Sequence, residues 1–300
     1  MSAPHRVLDA AGRRLELGDR PLLMGIVNAT PDSFSDDAGT RTLDERVELA
    51  ASMLAAGADI IDIGGESGVT NRPPVDPEEE ARRVVPLIER VTRELGVLVS
   101  VDTYKPAVAR AAIAAGAAIV NDVSGLLDPE LADVCAETGA ALVVMHTRAA
   151  PKQKVLDLAY DGGVVADVLG FLAQRMELAQ ARGVPFERLV VDPGPDFAKS
   201  PAQTVETLRS LDLLHELERP VLLAVSRKDF VGAVTLRPPR ERLAGTLAAL
   251  AHGVDAGAHI LRVHDVAEAA DFLAVRDVLA GRLELDPELR LPDELRRSRR

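Results

Sequence analysis

The chain has few aromatic residues and almost no cysteine. Aromatic side chains make up 3% of its 300 residues, tryptophan is absent, and Cys135 is the single cysteine. One cysteine excludes an intrachain disulfide, and its helical surroundings, LADVCAETGA, indicate a small buried side chain rather than a nucleophile or metal ligand. With so few rings, the core has to be built from Ala, Val, Leu and Ile.

Two further absences limit the partners that the chain can have. No apolar stretch approaches the roughly 20 residues of a membrane-spanning helix, and residues 1–12 lack the apolar core of a signal peptide. The 35 basic residues are outnumbered by 47 acidic ones, and the net charge of −12 disfavours nonspecific attraction to nucleic acid or anionic membrane. We therefore expect a cytoplasmic protein that binds neither nucleic acid nor membrane.

Short, almost wholly apolar runs that end in polar residues recur along the chain. They are LLMGIVNAT, DIIDIGGES, VLVSVDT, AIVNDVS, ALVVMHT, RLVVDPG, VLLAVSRK and HILRVHD. Continuous apolar strands indicate burial on both faces, which is typical of a parallel sheet covered by helices. Eight such runs, alternating with helical segments and without a break in composition, predict a single-domain α/β protein with a TIM (β/α)8 barrel.

The chain is predicted to have three parts. The segment RVLDAAGRRLEL predicts a short β-hairpin, so residues 1–20 form an N-terminal extension that we expect to cover the barrel end opposite the site. Residues 21–283 form the barrel. Residues 284–300 are charged and lack apolar periodicity, which predicts a solvated tail.

The polar residues that follow the strands should meet at one face, because the strand ends of such a barrel converge there. This predicts a single pocket lined by Asn28, Asp62, Asp102, Asn121, His146, Asp192, Lys228, Arg262 and His264. Carboxylates and an amide can bind the donor-rich edge of a nitrogen heterocycle, and a lysine can bind its acceptors. Arg262 and His264 lie two residues apart on one strand, hence on the same side, which predicts an anion site.

Asn28 is the candidate metal ligand. Its amide oxygen can bind a Mg²⁺ that also binds phosphate oxygens, whereas a metal without phosphate would be held weakly. His146 has no second histidine or acidic residue at metal-ligand spacing, so we expect a positioning or structural role. The sequence has no nucleophile elbow, Walker loop or dinucleotide fingerprint, which argues against hydrolase, kinase and dehydrogenase functions.

Eight motifs, in order along the chain, resemble those of the dihydropteroate synthase family. They are MGIVNATPDSFSD, GADIIDIGGES, VSVDTYK, IVNDVSG, VMHTR, DPGPDFAK, SRKDFVG and RVHDV, and they extend from about Met24 to Val266. The resemblance implies a barrel enzyme that condenses 6-hydroxymethyl-7,8-dihydropterin pyrophosphate with p-aminobenzoate and releases pyrophosphate. It also implies Mg²⁺ and a homodimer.

The resemblance assigns roles to individual residues. The pterin would be bound by Asp102, Asn121, Met145, Asp192 and Lys228. The pyrophosphate, with Mg²⁺ at Asn28, would be bound by Asn28, Arg72, Arg262 and His264. The p-aminobenzoate region would contain Thr70, Phe197, Lys199 and Asp229. The catalytic residues would be Asp102, Lys228, Arg262 and His264, with Asp102 stabilising a pterin-methylene cation after pyrophosphate has left.

Departures from the family pattern lie almost entirely on the p-aminobenzoate side. Residues 66–73 read ESGVTNRP, three residues longer than the usual ESTRP, and Thr147 replaces a usual Met near the pterin. Asp229 and Asp196 stand where the family usually has Ser and Gly, and a carboxylate there would repel that of aminobenzoate unless a cation intervenes. Besides a working synthase, two hypotheses stay open: a pterin-binding paralogue with weak or no p-aminobenzoate activity, which could couple another amine, and a methyltetrahydrofolate methyltransferase.

Overall fold

The computed structural model describes residues 3–18, 20–30, 41–68, 73–153, 155 and 159–296. Within these ranges the strands are β1 (Arg6–Ala10), β2 (Arg13–Leu17), β3 (Leu22–Asn28), β4 (Ile60–Gly64), β5 (Leu98–Asp102), β6 (Ile119–Asp122), β7 (Ala141–Met145), β8 (Leu189–Asp192), β9 (Leu222–Leu223) and β10 (Ile260–Val263). The α-helices are α1 (Leu43–Ala55), α2 (Pro77–Leu95), α3 (Pro106–Ala114), α4 (Glu130–Thr138), α5 (Val164–Ala181), α6 (Pro201–Arg209), α7 (Asp229–Thr235), α8 (Leu243–Asp255) and α9 (Val266–Leu279).

Strands β3 to β10 form one parallel sheet in the described part of the chain. Its order is β8-β7-β6-β5-β4-β3-β10-β9, and a parallel bridge between Val191 and Val221 brings the two outer strands together. Helices follow the strands and cover the outside of the sheet, so both faces of each strand are buried. The predicted (β/α)8 barrel is confirmed.

Helix α2 illustrates how local sequence sets the element boundaries. Asp76 precedes it and accepts hydrogen bonds from the first backbone N–H groups of the helix, with Pro77 at the first helical position. The helix ends at Leu95 and is capped by Gly96, whose φ of 64° lies in the left-handed region that glycine enters at low cost. No helix among the described residues is long and apolar enough to cross a membrane.

The N-terminal hairpin of β1 and β2 closes the end of the barrel where the strands begin. Leu8, Ala10 and Leu17 are buried in one apolar cluster with residues at the strand starts. The strand residues of this cluster include Met24, Ile60, Leu98, Ile119, Ala141, Val190, Leu222 and Ile260. The expected cover at this end is therefore present, and the opposite end, where the strands finish, is left for a site.

Two smaller expectations concern Cys135 and the C-terminus. Cys135 lies on α4 and is buried, and burial raises the pKa of its thiol to about 12, so the thiol stays protonated and is not a nucleophile. Residues 284–296 are exposed, as a solvated segment would be. The boundaries that divide the chain into three parts stay predictions.

Candidate functional site

Most of the predicted site residues lie at the carboxyl ends of the barrel strands. Asp102, Met145 and Asp192 are the last residues of β5, β7 and β8, and Asn28 is the last residue of β3. In the strand register, Asp102 pairs with Asn121, and Met145 pairs with Asp192. Parallel pairing with this register brings the side chains predicted to bind the pterin to one rim.

Arg262 on β10 connects the carboxylates at this rim. Its Nε donates to Oδ2 of Asp62 at 2.6 Å, and its Nη2 donates to Oδ2 of Asp102 at 2.6 Å. Oδ2 of Asp62 also accepts a hydrogen bond from Nδ2 of Asn121 at 3.3 Å. One guanidinium, two carboxylates and an amide, contributed by four strands, therefore form one polar network.

Burial changes the protonation of these groups. It raises the pKa of Asp102 to about 7; Arg262 opposes this shift, and the carboxylates of Asp62, Glu80 and Asp122 reinforce it. Burial likewise raises the pKa of Asp192, although the backbone N–H of Gly194 donates to its Oδ1 at 2.7 Å and opposes the shift. Asp102 is consequently a carboxyl group that changes charge near neutral pH, as catalytic groups often do.

Lys228 follows β9 and lies at the border between the strand ends and the loops. Its Nζ is 4.2 Å from the centre of the Phe197 ring, which is within the range of a cation–π contact. Burial lowers the pKa of Lys228, and the carboxylates of Asp196 and Asp192 oppose that shift. Lys228 therefore connects the predicted pterin residues with Phe197 of the predicted p-aminobenzoate region.

His264 is held by Ser226. The two side chains are joined by a 3.0 Å hydrogen bond between Ser226 Oγ and His264 Nδ1, and the backbone N–H of His264 donates to the same hydroxyl at 3.2 Å. Burial lowers the pKa of His264 to about 3, and the cations Arg227 and Arg262 add to this shift. The imidazole is neutral, so in the predicted anion site it supplies a hydrogen bond and Arg262 supplies the charge.

Lys199 lies on the predicted loop after β8, but its ammonium group is turned into the protein. Its side chain is 1% exposed, and its Nζ contacts His146 Nδ1 at 2.6 Å and donates to the carbonyl oxygen of Gly194 at 3.0 Å. His146 in turn contacts Oδ2 of Asp167 at 2.8 Å. Lys199 therefore holds the loop from inside instead of presenting its charge to the predicted p-aminobenzoate region. His146 lies between Lys199 and Asp167, and its positioning or structural role stays a prediction.

A tight glycine turn accompanies this arrangement. Gly194 has a φ of 62°, and a Cβ atom built on it would lie 2.0 Å from the carbonyl oxygen of His146. Any side chain at this position would displace the backbone, so the close approach of the loop to β7 requires glycine. The turn leads the chain from Asp192 directly into the Phe197 loop.

Asp196, one of the two acidic departures from the family pattern, caps helix α7. Its Oδ2 accepts hydrogen bonds from the backbone N–H groups of Asp229 at 2.6 Å and Phe230 at 3.3 Å. Its Oδ1 accepts from the Thr204 hydroxyl at 3.1 Å. The carboxylate is thus engaged by three donors and ties the loop after β8 to the segment that carries Lys228.

Asp229, the other acidic departure, is paired with a cation. Its carboxylate is 3.1 Å from Nη1 of Arg242, and its side chain is 68% exposed. The same guanidinium nitrogen donates to the backbone carbonyl oxygens of Arg227 and Lys228. The cation that aminobenzoate binding would need beside Asp229 is present, because Arg242 is held there by the backbone.

The longer loop after β4 is anchored at its first residue. Glu66 accepts hydrogen bonds from Lys105 Nζ at 2.6 Å, from the Val75 backbone N–H at 2.8 Å and from the Tyr104 hydroxyl at 3.1 Å. Thr70 and Arg72, which are predicted to contact p-aminobenzoate and pyrophosphate, lie outside the described residues.

Asn28 fits a metal site only if a ligand supplies further oxygens to the same ion. Among the described residues, no group of three or more His, Cys, Asp or Glu side chains could hold an ion. Mg²⁺ commonly uses one or two protein oxygens together with phosphate oxygens and water. The amide oxygen of Asn28 at the end of β3 suits that kind of site, and Mg²⁺ there stays a prediction.

The sequence indicates the site residues but not their partners. It predicts Asp62 at the pocket without a role, although an aspartate inside the apolar strand IIDIG is a signal in itself. It gives no sign of Ser226 or Arg242. Their partners, His264 and Asp229, lie 38 and 13 residues away along the chain, and no local pattern links them.

Comparisons with known proteins agree with this geometry. The family model for pterin binding enzymes matches residues 24–264. Dihydropteroate synthase of Bacillus subtilis is 41% identical over 278 residues, which cover 92% of this chain and 95% of that protein. Solved structures of Xanthomonas albilineans dihydropteroate synthase with 4-aminobenzoic acid and with 7,8-dihydropteroate are both 44% identical, with TM-scores of 0.84 and 0.81.

These two structures cover 92% and 91% of this chain and are themselves covered to 99% and 98%. The residues matched by the family model, 24–264, include Asp62, Asp102 and Arg262 of the polar rim. At this identity and coverage, the chain is a member of the dihydropteroate synthase family of pterin-binding enzymes.

Proposed function

We propose that the protein is a dihydropteroate synthase, a transferase that joins 6-hydroxymethyl-7,8-dihydropterin pyrophosphate to p-aminobenzoate and releases pyrophosphate. The observation that carries the proposal is the polar rim of the barrel, in which Arg262 bridges Asp62 and Asp102 next to Asn121. A fused heterocycle with several donors and acceptors is the kind of ligand that such a set can orient.

In this proposal, each end of the dihydropterin substrate has its own group of residues. Asp102, Asn121, Asp192 and Lys228 bind the ring, and Met145, which is 1% exposed at the end of β7, packs against it. Arg262 and the neutral His264 bind the pyrophosphate together with Asn28. Bound Mg²⁺ would neutralise part of the charge on the leaving pyrophosphate, and Asn28 is the residue that would hold it.

The proposed chemical step is a dissociative substitution. The bond between the pterin methylene carbon and the pyrophosphate oxygen breaks, and its electron pair leaves with pyrophosphate. The methylene cation, delocalised into the ring, is stabilised by the ionised carboxylate of Asp102. The amine nitrogen of p-aminobenzoate then forms a bond to the methylene carbon and loses one proton to water. Fixed charges, rather than a covalent enzyme intermediate, supply the catalysis.

The second substrate fits this chain in spite of its acidic departures. Asp196 and Asp229 motivated the hypothesis of a paralogue without p-aminobenzoate activity. Asp196 is occupied by the N–H groups of α7, and Asp229 is paired with Arg242. Neither carboxylate is an unpaired charge, so p-aminobenzoate can approach Lys228 and Phe197. The methyltransferase alternative would leave the Arg262, His264 and Asn28 set without a pyrophosphate to bind.

A homodimer and a cytoplasmic location are part of the same proposal. Support for the dimer comes from large apolar side chains left exposed at the end of α7 and on α9: Val234 (74%), Leu236 (88%), Val275 (60%) and Leu279 (82%). Sedimentation of the purified protein should show about twice the monomer mass of 32.0 kDa. A monomer at micromolar concentration would contradict this part of the proposal.

The test is product analysis with purified protein. The enzyme is mixed with Mg²⁺ and dihydropterin pyrophosphate, with and without p-aminobenzoate, and the products are identified by mass spectrometry. Dihydropteroate formed only when both substrates are present supports the proposal. A condensation product that forms only with a different amine, or tight pterin binding without any product, would overturn it.

A further inference from the structure

Asp62 is a charged residue in the middle of an apolar strand. It lies in β4, between Ile61 and Ile63, and its side chain is fully buried. A buried carboxylate is costly unless it is paired with a cation and hydrogen bonded. Burial alone therefore disfavours Asp62 at this position, and its partners have to offset the cost.

Both partners of Asp62 belong to the proposed substrate site: Asn121 is one of the pterin residues, and Arg262 is one of the pyrophosphate residues. The Nε of Arg262 and the Nδ2 of Asn121 donate to the same oxygen, Oδ2, at 2.6 and 3.3 Å. Because a carboxylate can only accept, the Asn121 amide has to present its NH₂ group to Asp62, and its carbonyl oxygen is directed elsewhere. The hydrogen bond to Asp62 fixes Nε of Arg262. With Nη2 bonded to Asp102 as well, the plane of the guanidinium group is fixed.

We propose that Asp62 is a positioning residue of the pterin site, which orients Arg262 and Asn121 without itself contributing to the chemical step. The inference rests on the proposed function, since it concerns the same pocket. Asp62 sets which atom of Asn121 meets the ring and holds the Arg262 charge in place before the substrate arrives. A site prepared in this way avoids the cost of ordering two long or rotatable side chains during binding.

Asp122 provides a matched comparison. It is also fully buried and lies one residue after Asn121, but its carboxylate accepts hydrogen bonds from Ser124 and from the Leu126 backbone. These contacts order the loop after β6 and do not involve Arg262 or Asn121. Replacing Asp122 therefore tests the cost of losing a buried carboxylate at the same rim without disturbing the two side chains that Asp62 orients.

The experiment compares Asp62→Asn, Asp62→Ala and Asp122→Asn by titration calorimetry with 6-hydroxymethyl-7,8-dihydropterin, which needs neither pyrophosphate nor p-aminobenzoate. Asp62→Asn keeps an acceptor oxygen but removes the charge, and we expect about 10-fold weaker binding. Asp62→Ala removes both, and we expect about 100-fold weaker binding. Asp122→Asn should stay within about threefold of the native affinity, even if its melting temperature falls.

A double-mutant cycle distinguishes a positioning role of Asp62 from general destabilisation of the protein. If Asp62 acts partly through Arg262, Asp62→Ala should cost clearly less in an Arg262→Ala background than in the native one. In steady-state assays, the KM for dihydropterin pyrophosphate should rise in Asp62→Ala while the KM for p-aminobenzoate stays within about threefold. Equal costs in both backgrounds, or native affinity in both Asp62 variants, would overturn the inference.

The inference can fail separately from the proposed function. Native protein that makes dihydropteroate while the Asp62 variants bind pterin normally would refute the role of Asp62 alone. Native protein that binds pterin through Asp62 but makes no dihydropteroate would refute the synthase alone. If Asp62→Ala does not fold, as judged by circular dichroism, Asp62→Asn carries the test, and the Arg262 side-chain Nε–H of native protein should show slow hydrogen exchange in NMR spectra. Rapid exchange would contradict the inference.

Discussion

The two sides of the pocket are built in different ways. The side proposed to bind dihydropterin pyrophosphate consists of residues on or next to barrel strands, such as Asp102, Asn121 and Arg262, whose places follow from the parallel register. The side proposed to bind p-aminobenzoate consists of loops, where Asp196 and Asp229 are placed by a helix cap and an ion pair. The first side is defined by the fold, and the second by contacts particular to this chain.

In the proposed function, this difference explains how the chain accommodates its departures from the family pattern. On the strand side, any new charge would have to fit into the network around Arg262. On the loop side, an additional carboxylate needs only a local partner. Asp196 is bound by the start of α7, and Asp229 is bound by Arg242. Sequence differences on the two sides should therefore have unequal consequences.

The largest effect is expected for Arg262→Ala. The change leaves the carboxylates of Asp62 and Asp102 close together without their cation and removes the charge proposed to hold pyrophosphate. We expect kcat/KM for dihydropterin pyrophosphate to fall by about 10³-fold or more, with binding of free pterin weakened less.

The matched control for Arg262→Ala is Arg219→Ala. Arg219 is also buried, but it lies at the hairpin end of the barrel, where its guanidinium donates to the carbonyl oxygens of Leu189 and Val7. We expect lower thermal stability and nearly native kinetics at temperatures where the variant is folded. A similar loss of kcat/KM in both variants would mean that the Arg262 effect is general disruption.

The next largest effect is the dependence of activity on pH. Burial raises the pKa of Asp102 to about 7, and the proposed role needs its carboxylate ionised. We expect kcat/KM to rise about tenfold per pH unit below about 7 and to level off above it. Asp102 also makes the folded state less stable as pH rises from its ordinary pKa to about 7, because the folded state binds this proton more tightly than the unfolded chain. A flat profile of kcat/KM between pH 5 and 8 would contradict this role.

On the loop side, Arg242→Ala should have a moderate effect. It leaves Asp229 without its cation and removes the donor to the Arg227 and Lys228 carbonyl groups. We expect the KM for p-aminobenzoate to rise about 5- to 10-fold, with little change in the KM for dihydropterin pyrophosphate. Adding Asp229→Ser should recover part of the loss; no recovery would show that Arg242 acts only through the backbone.

The smallest effect is expected for Asp229→Ser alone. If Asp229 repelled p-aminobenzoate, this change would lower the KM for p-aminobenzoate. Because the carboxylate is mostly exposed and paired with Arg242, we expect that KM to change by no more than about twofold. A decrease of tenfold would show that the ion pair does not compensate the charge.

The sequence predicts the barrel and the meeting of polar residues at its strand ends, for a physical reason. Apolar runs such as VLVSVD and RLVVD are local signals, and the convergence of strand ends then places Asp102 and Asp192 together. Contacts between distant side chains are not local. The Arg262–Asp102 pair joins residues 160 positions apart, and the inward orientation of Lys199 depends on His146, which lies 53 positions away.

The most direct test of the account is the aminobenzoate dependence of pyrophosphate release by the native enzyme. Because Asp196 and Asp229 are both paired, the loop side should bind an anionic second substrate. We expect saturable release with a KM for p-aminobenzoate between about 1 μM and 1 mM, the usual range for enzymes. Pyrophosphate release that does not depend on p-aminobenzoate, or a KM beyond about 10 mM, would contradict it.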